Sequence, residues 1–173
     1  MNRRALLAVP LGAAVLGGGA FFAMLKGLEK GTFDPRGVPS QLIDKPLPEF
    51  LLPGFSRADV VAQKKPVVIN FFASWCVPCL DEADTLMKLH QRGVNLWGIA
   101  YKDKAAQTTQ FLQRHGNPYG RMAMDDKGLV GIDWGITGVP ETYLIDANGI
   151  VRWRFVGPLP DGAVDGLAKM VGA

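Results

Sequence analysis

The chain has 173 residues, which is enough for one ordinary domain with a sizeable core plus an additional segment. Its net charge of +3 comes from residues 1–30, which hold four basic residues and one acid; the rest of the chain holds 15 basic and 15 acidic residues. A neutral domain lacks the basic surface that nucleic-acid-binding proteins use, so we expect no nucleic-acid partner.

An uncharged run of 21 residues, Ala5 to Leu25, lies between Arg3-Arg4 and Lys26. As a helix it would span about 30 Å, the thickness of a bilayer core. Cleaved signal peptides have a shorter apolar region, about 7–15 residues, and end in an Ala-x-Ala-like site. The sequence therefore favours an uncleaved signal anchor over a cleaved one. Arg3 and Arg4 favour a cytoplasmic N-terminus, although Lys26 and Lys30 weaken this bias.

After the anchor and tether of residues 1–33, we predict a single α/β domain over residues 34–173. Periodicity and turn residues predict, in order, a brief edge strand at 50–52, a helix at 56–63, a strand at 67–72, a helix at 76–91, a strand at 94–100, a helix at 105–115, a strand at 121–124, a short helical segment at 128–134, strands at 141–145 and 150–155, and a helix at 160–171. Asn148-Gly149 predicts a hairpin between the last two strands. This order indicates a mixed sheet with helices on both faces.

Both cysteines of the chain lie in the segment Cys76-Val77-Pro78-Cys79, directly after the predicted strand 67–72. Residues three apart on a helix are about 5–6 Å apart, which is within the reach of a disulfide. The helix N-terminus favours a thiolate at the first sulfur. Pro78 removes one amide donor from the first turn, which predicts a more reducing pair. The pattern indicates exchange of electrons with other thiols.

Other uses of a cysteine pair fit less well. A structural zinc site needs four ligands, whereas this chain adds only His90 and His115, which are not at finger spacing. Covalent haem attachment requires a histidine after the second cysteine, but Leu80 stands there. A purely structural disulfide across so short a loop would restrict the unfolded chain very little. A redox-active disulfide is therefore the prediction.

The strand and cysteine motif, residues 67–79, resembles the active site of the thioredoxin superfamily. Residues 138–146 (Gly-Val-Pro-Glu-Thr-Tyr-Leu-Ile-Asp), 148–151 and the N-terminal segment 38–46 resemble a narrower family, the membrane-anchored thiol:disulfide interchange proteins of cytochrome c maturation (CcmG/DsbE type). The resemblance covers essentially the whole chain. It implies a thioredoxin-like α/β fold, with a mixed central sheet flanked by helices and preceded by one N-terminal transmembrane helix.

The active-site roles follow from position and from this resemblance. Cys76, at the helix start beside Trp75, is expected to be the exposed attacking sulfur, and Cys79 the buried sulfur that resolves the mixed disulfide. The resemblance implies that Pro140 is the superfamily's cis-proline, opposite the disulfide. It would present the backbone of Val139 to a bound polypeptide.

Two acids complete the predicted site. The resemblance implies that Glu82 and Glu141 line it and tune the thiols, and a buried carboxylate could accept a proton from the resolving cysteine. The alternative for Glu82 is a solvated face shared with Asp81 and Asp84. Many thioredoxins carry a buried Asp where this chain has Asn70. An amide cannot accept the proton, so Glu82 or a water would take that part.

The resemblance implies a reductant of periplasmic disulfides on the bacterial inner membrane, with a single membrane pass and the soluble domain in the periplasm. Its client would be apocytochrome c or a maturation thioprotein, and a transmembrane electron donor of the DsbD/CcdA kind would reduce it again. No metal or organic cofactor is expected. Three alternatives stay open: an anchored reductase of the TlpA or ResA kind with another client, a dithiol oxidant, and a copper chaperone of the Sco type.

Overall fold

The computed structural model describes residues 16–19, 21, 22, 26 and 40–173. Most of the predicted anchor, and the predicted boundary between residues 33 and 34, lie outside the described residues and stay predictions. Within the part of the chain that is described, no helix is long and apolar enough to cross a membrane.

The described part of the C-terminal unit is built on a five-stranded mixed sheet. Its strands are β1 (Val67–Phe72), β2 (Leu96–Tyr101), β3 (Arg121–Asp125), β4 (Glu141–Ile145) and β5 (Val151–Val156), in the spatial order β3-β2-β1-β4-β5. The pairs β1/β2 and β2/β3 are parallel, and β1/β4 and β4/β5 are antiparallel. The central strand β1 is buried along its whole length, as its continuous apolar run predicts. The predicted mixed sheet is confirmed.

Six helices accompany these strands in residues 40–173. They are α1 (Arg57–Ala62), α2 (Val77–Asp81), α3 (Ala83–Gln91), α4 (Ala105–His115), α5 (Leu129–Asp133) and α6 (Ala163–Val171). The core on one sheet face contains both cysteines and side chains from α3, α4 and α6. The core on the other face contains side chains from α1 and α5. The prediction of helices on both faces is confirmed.

Most predicted elements occur within one or two residues of their expected bounds, but three expectations are wrong. The expected edge strand 50–52 is reduced to one isolated bridge between Leu51 and Ser56, because Pro48 and Pro53 flank it. The last helix begins at Ala163 rather than near Pro160, because a turn bonds the Ala163 N–H to the Pro160 carbonyl. The helix predicted over 76–91 is interrupted at Glu82, which ends α2 and precedes α3.

Candidate active site

The two cysteines form a disulfide across the first turn of α2, with their Cα atoms 5.3 Å apart. Cys76 has extended backbone angles and caps α2, and the Cys79 N–H donates to its sulfur at 3.2 Å. Pro78 lies in this first turn and has no N–H of its own. The Cys79 amide is thus a built-in hydrogen-bond donor for a thiolate at Cys76.

The difference in exposure expected between the two sulfurs is absent. Cys76 is 4% exposed and Cys79 is 3% exposed, so the prediction of an exposed Cys76 is wrong for this oxidised state. Cys76 is covered by the segment that contains Val139, whose carbonyl oxygen lies 3.5 Å from the Cys76 sulfur. Assignment of Cys76 as the attacking sulfur stays a prediction that rests on its place at the start of the helix.

The peptide bond between Val139 and Pro140 is cis, as the resemblance implied. Pro140 is buried, whereas Val139 is half-buried and packs against the core clusters on both sheet faces. The short distance from the Val139 carbonyl to the Cys76 sulfur places this backbone beside the disulfide. An extended polypeptide that reached Cys76 would therefore meet the Val139 main chain.

Trp75 is the large exposed side chain next to the disulfide, with 56% of its surface accessible. Its indole N–H donates to the Lys102 carbonyl at 3.1 Å, so the ring has a fixed orientation. It borders a groove of about 360 Å³ whose other lining residues are Ser74, Leu80, Gln107, Gln110, Phe111, Arg114 and His115. The groove offers apolar and hydrogen-bonding surface directly beside the redox centre.

Asp103, which was not among the predicted site residues, holds the loop before Cys76 in place. This buried carboxylate accepts hydrogen bonds from the Ser74 N–H at 2.6 Å and the Ser74 hydroxyl at 2.8 Å. It also accepts from the Lys104 N–H and the Thr108 hydroxyl at the start of α4. The available signal was an acid in the short loop between β2 and α4, two residues after the strand ends and two before the helix begins.

Glu82 is fully buried, so the alternative of a solvated face is excluded for this residue. One carboxylate oxygen accepts from the Asn70 amide at 2.9 Å, and the other accepts from the Leu159 N–H at 2.9 Å. Burial raises the pKa of Glu82 to about 7, against the opposing effect of these two hydrogen bonds. The group can therefore bind or release a proton near neutral pH, three residues after Cys79 on the chain.

We expect the raised pKa of Glu82 to make stability depend on pH. The folded chain keeps a proton that an unfolded glutamate loses near pH 4.5, so the free energy of unfolding should fall as pH rises from 4.5 to about 7. The loss from this one group is about 3 kcal/mol. Glu82→Gln should remove that decline. Urea unfolding of the oxidised protein at a series of pH values measures it, and an unchanged pH slope in the variant would contradict the assignment.

Glu141 lies away from the sulfurs, on the sheet face opposite the cysteines. It pairs with Phe71 in the register of β1 and β4, and its carboxylate binds Arg154 through two hydrogen bonds of 2.9 and 3.0 Å. Although burial opposes it, hydrogen bonds from Arg154, Thr137 and Tyr143 hold the pKa of Glu141 below its usual value. These contacts support a structural role for Glu141. The expectation that Glu141 tunes the thiols stays a prediction.

Comparison with known proteins gives a consistent result. The Redoxin family model matches residues 44–171. Two thiol:disulfide interchange proteins DsbE are similar: that of Escherichia coli K12 is 43% identical over 132 residues, 73% of this chain and 71% of the relative, and that of Vibrio cholerae is 39% identical over 162 residues, 91% and 87%. The crystal structure of a putative DsbE from Chlorobium tepidum, at 27% identity, superposes with a TM-score of 0.60 over 73% of this chain and 92% of that one.

The redox pair Cys76–Cys79, the thioredoxin-like sheet and these relatives agree with one another. The chain is a thiol:disulfide oxidoreductase and belongs to the DsbE (CcmG) family of thiol:disulfide interchange proteins.

Proposed function

We propose that this protein is a membrane-anchored reductant that works in the periplasm and supplies electrons to disulfides of cytochrome c maturation, either in apocytochrome c or in a partner thioprotein. The observation that carries the exchange chemistry is the buried Glu82 carboxylate at the end of α2, the helix that holds the cysteines. The reducing direction is inferred from the family and from Pro78, which removes one amide donor for a thiolate from the first turn. A proton acceptor near neutral pH helps Cys79 become the thiolate that completes reduction. The anchor and the compartment are inferred from residues 1–33 and the family.

The proposed reaction transfers two electrons to the client. The Cys76 thiolate attacks one client sulfur, the client disulfide breaks, and one client thiolate leaves. Cys79 gives its proton to Glu82, and its thiolate attacks the Cys76 sulfur. The mixed disulfide then breaks, the second client thiolate leaves, and the Cys76–Cys79 disulfide forms. A transmembrane electron donor of the DsbD/CcdA kind would return two electrons to the pair.

The redox direction is tested by equilibrating the protein with glutathione and measuring the potential of the Cys76–Cys79 couple. A value below about −200 mV supports a reductant, whereas a value near −120 mV, that of a strong oxidant, overturns the proposal.

The client class is tested with an oxidised peptide that carries Cys-x-x-Cys-His. Faster reduction of this peptide than of one with the same composition in scrambled order supports the cytochrome c assignment, and equal rates contradict it.

Trp75 gives a test of client binding. Trp75→Ala should raise the KM for an oxidised protein client about tenfold or more, because the ring would be covered by the client, and burial of a large apolar side chain contributes about 1.5–3 kcal/mol. The rate of reduction of a small-molecule disulfide should change little. Ile132→Ala is the matched control, because Ile132 is an apolar residue of similar accessibility on α5. It should leave the KM for the protein client and the rate of reduction of the small disulfide unchanged. Equal losses with both substrates would show that Trp75 acts on the cysteines instead.

A further inference from the structure

A chain of buried hydrogen bonds runs from Glu82 to Tyr119. The Tyr119 hydroxyl donates to Asn70 Oδ1 at 2.7 Å, and Asn70 Nδ2 donates to Glu82 at 2.9 Å and to Thr142 Oγ1 at 3.0 Å. Asn70, Glu82 and Thr142 are inaccessible to solvent, and Tyr119 is 8% exposed. These hydrogen bonds connect two strands, β1 through Asn70 and β4 through Thr142, and the loop before β3 to one titrating carboxylate.

The Tyr119 hydroxyl favours one orientation of the Asn70 amide. The hydroxyl can accept as well as donate, but Asn70 Oδ1 is the acceptor that the structure shows for its hydrogen, and turning the amide over would leave that hydrogen unpaired in a buried site. With its oxygen held by Tyr119, Asn70 must direct both hydrogens of Nδ2 toward Glu82 and Thr142. Both described partners of Glu82, the Asn70 amide and the Leu159 N–H, are then donors, which is the arrangement that suits an ionised carboxylate.

The opposite orientation of the Asn70 amide would suit a protonated Glu82. If the side chain turned over, Oδ1 would face Glu82, and only a carboxylic acid could donate to it. Two lone-pair-bearing oxygens would otherwise face each other in a buried site. The orientation of Asn70 and the protonation of Glu82 are therefore linked.

The ring of Tyr119 is held firmly enough to fix that orientation. It stacks on Phe72 with ring centroids 4.8 Å apart and lies over Gly98, where a Cβ atom would come within 2.9 Å of the ring. Its backbone N–H donates to the Asn117 side chain at 3.0 Å. Burial, together with the nearby Glu82, raises the pKa of Tyr119 well above its usual value, so the hydroxyl keeps its proton throughout the working range.

We propose that Tyr119 is a positioning residue for thiol–disulfide exchange: by donating to Asn70 it holds the Asn70 amide with its hydrogens toward Glu82 and so favours the ionised form of that carboxyl. The proposal rests on the proposed part of Glu82 as the proton acceptor for Cys79. Removal of the hydroxyl would free the amide to turn and would stabilise the protonated acid. The proton affinity of Glu82 should then rise.

The test is the titration of the Glu82 carboxyl carbon, followed by NMR on the full-length oxidised protein. In Tyr119→Phe the midpoint should move up by about one pH unit, the size expected when a single hydrogen bond changes partner. Tyr101→Phe is the matched control, because Tyr101 packs against α5 on the opposite sheet face. The two cysteines form a disulfide in this experiment and do not titrate. The other titratable groups on the elements around Glu82 are retained in both variants: Asp81, Asp84, Lys88, His90 and Asp161.

An unmoved midpoint in Tyr119→Phe, or an equal movement in Tyr101→Phe, overturns the inference. A second variant, Thr142→Val, removes the other acceptor of the Asn70 hydrogens and should move the midpoint in the same direction; a downward movement contradicts the linkage. The pH profile of client reduction separates this inference from the proposed function. If the midpoint moves in Tyr119→Phe and the rate profile does not follow, positioning by Tyr119 stands and Glu82 is not the proton acceptor.

Discussion

Replacement of Cys76 by Ala should abolish reduction of protein disulfides, whereas Cys79→Ala should stop the reaction at a mixed disulfide between Cys76 and the client. Cys76 caps α2 and receives the Cys79 N–H, so its thiolate is the better stabilised of the two. Without Cys79, no second thiolate can attack the Cys76 sulfur and release the client. Non-reducing gels and mass spectrometry of cells that produce each variant would identify the trapped partners.

The two single variants serve as controls for each other. Trapped partners on Cys79→Ala but not on Cys76→Ala support the assigned order. The reverse pattern would show that Cys79 attacks first. Capture of an apocytochrome c or a maturation thioprotein would support the proposed client class, and capture of unrelated proteins alone would contradict it.

The largest effect on stability is expected at Arg154. Its side chain is 7% exposed and forms a two-point ion pair with the unexposed carboxylate of Glu141. Arg154→Met would leave this carboxylate buried without its cation, which costs about 3–5 kcal/mol when one partner of a buried pair is removed. Urea unfolding at pH 7.5 measures the loss. The deficit should shrink at low pH, because a protonated Glu141 needs no cation.

Arg152, two residues earlier on β5, provides the matched control. Its side chain is 45% exposed, so its ion pairs with Asp44 and Asp146 are screened by solvent, and such pairs contribute about 0–1 kcal/mol. Arg152→Met should therefore change the free energy of unfolding by no more than about 1 kcal/mol. Similar losses of unfolding free energy in the two variants would mean that the buried Glu141–Arg154 pair stabilises the fold no more than the exposed pairs of Arg152 do.

The elements that sequence reasoning predicted best are those that local patterns determine. The apolar run of β1, the helix 105–115 and the Asn148-Gly149 hairpin each occur where expected. The interruption at Glu82 was not predictable from periodicity, because it depends on hydrogen bonds to Asn70 and Leu159, which come from distant parts of the chain. Three-residue spacing predicted the disulfide, but burial of Cys76 depends on Val139, which is 63 residues away.

Site residues divide in the same way. Cys76, Cys79 and Pro140 belong to local motifs, and the sequence could identify them. Glu82 and Glu141 were both expected to line the active site, yet the alternation of side chains along β4 places Glu141 on the opposite sheet face from Glu82. Asp103 and Tyr119 were missed because each acts through one hydrogen-bond partner on another element.

The contacts of the loop before Cys76 have a thermodynamic consequence for client recognition. Asp103 holds Ser74, and the Lys102 carbonyl holds the Trp75 indole, so this surface is already ordered before a client arrives. Association then carries little entropy cost on the side of the enzyme, and the ordering cost falls on the client segment. We expect such a surface to discriminate by shape, binding a flexible chain that can adopt the required extended form in preference to a rigid folded protein with a buried disulfide. Unfolded chains that carry an accessible disulfide fit this requirement.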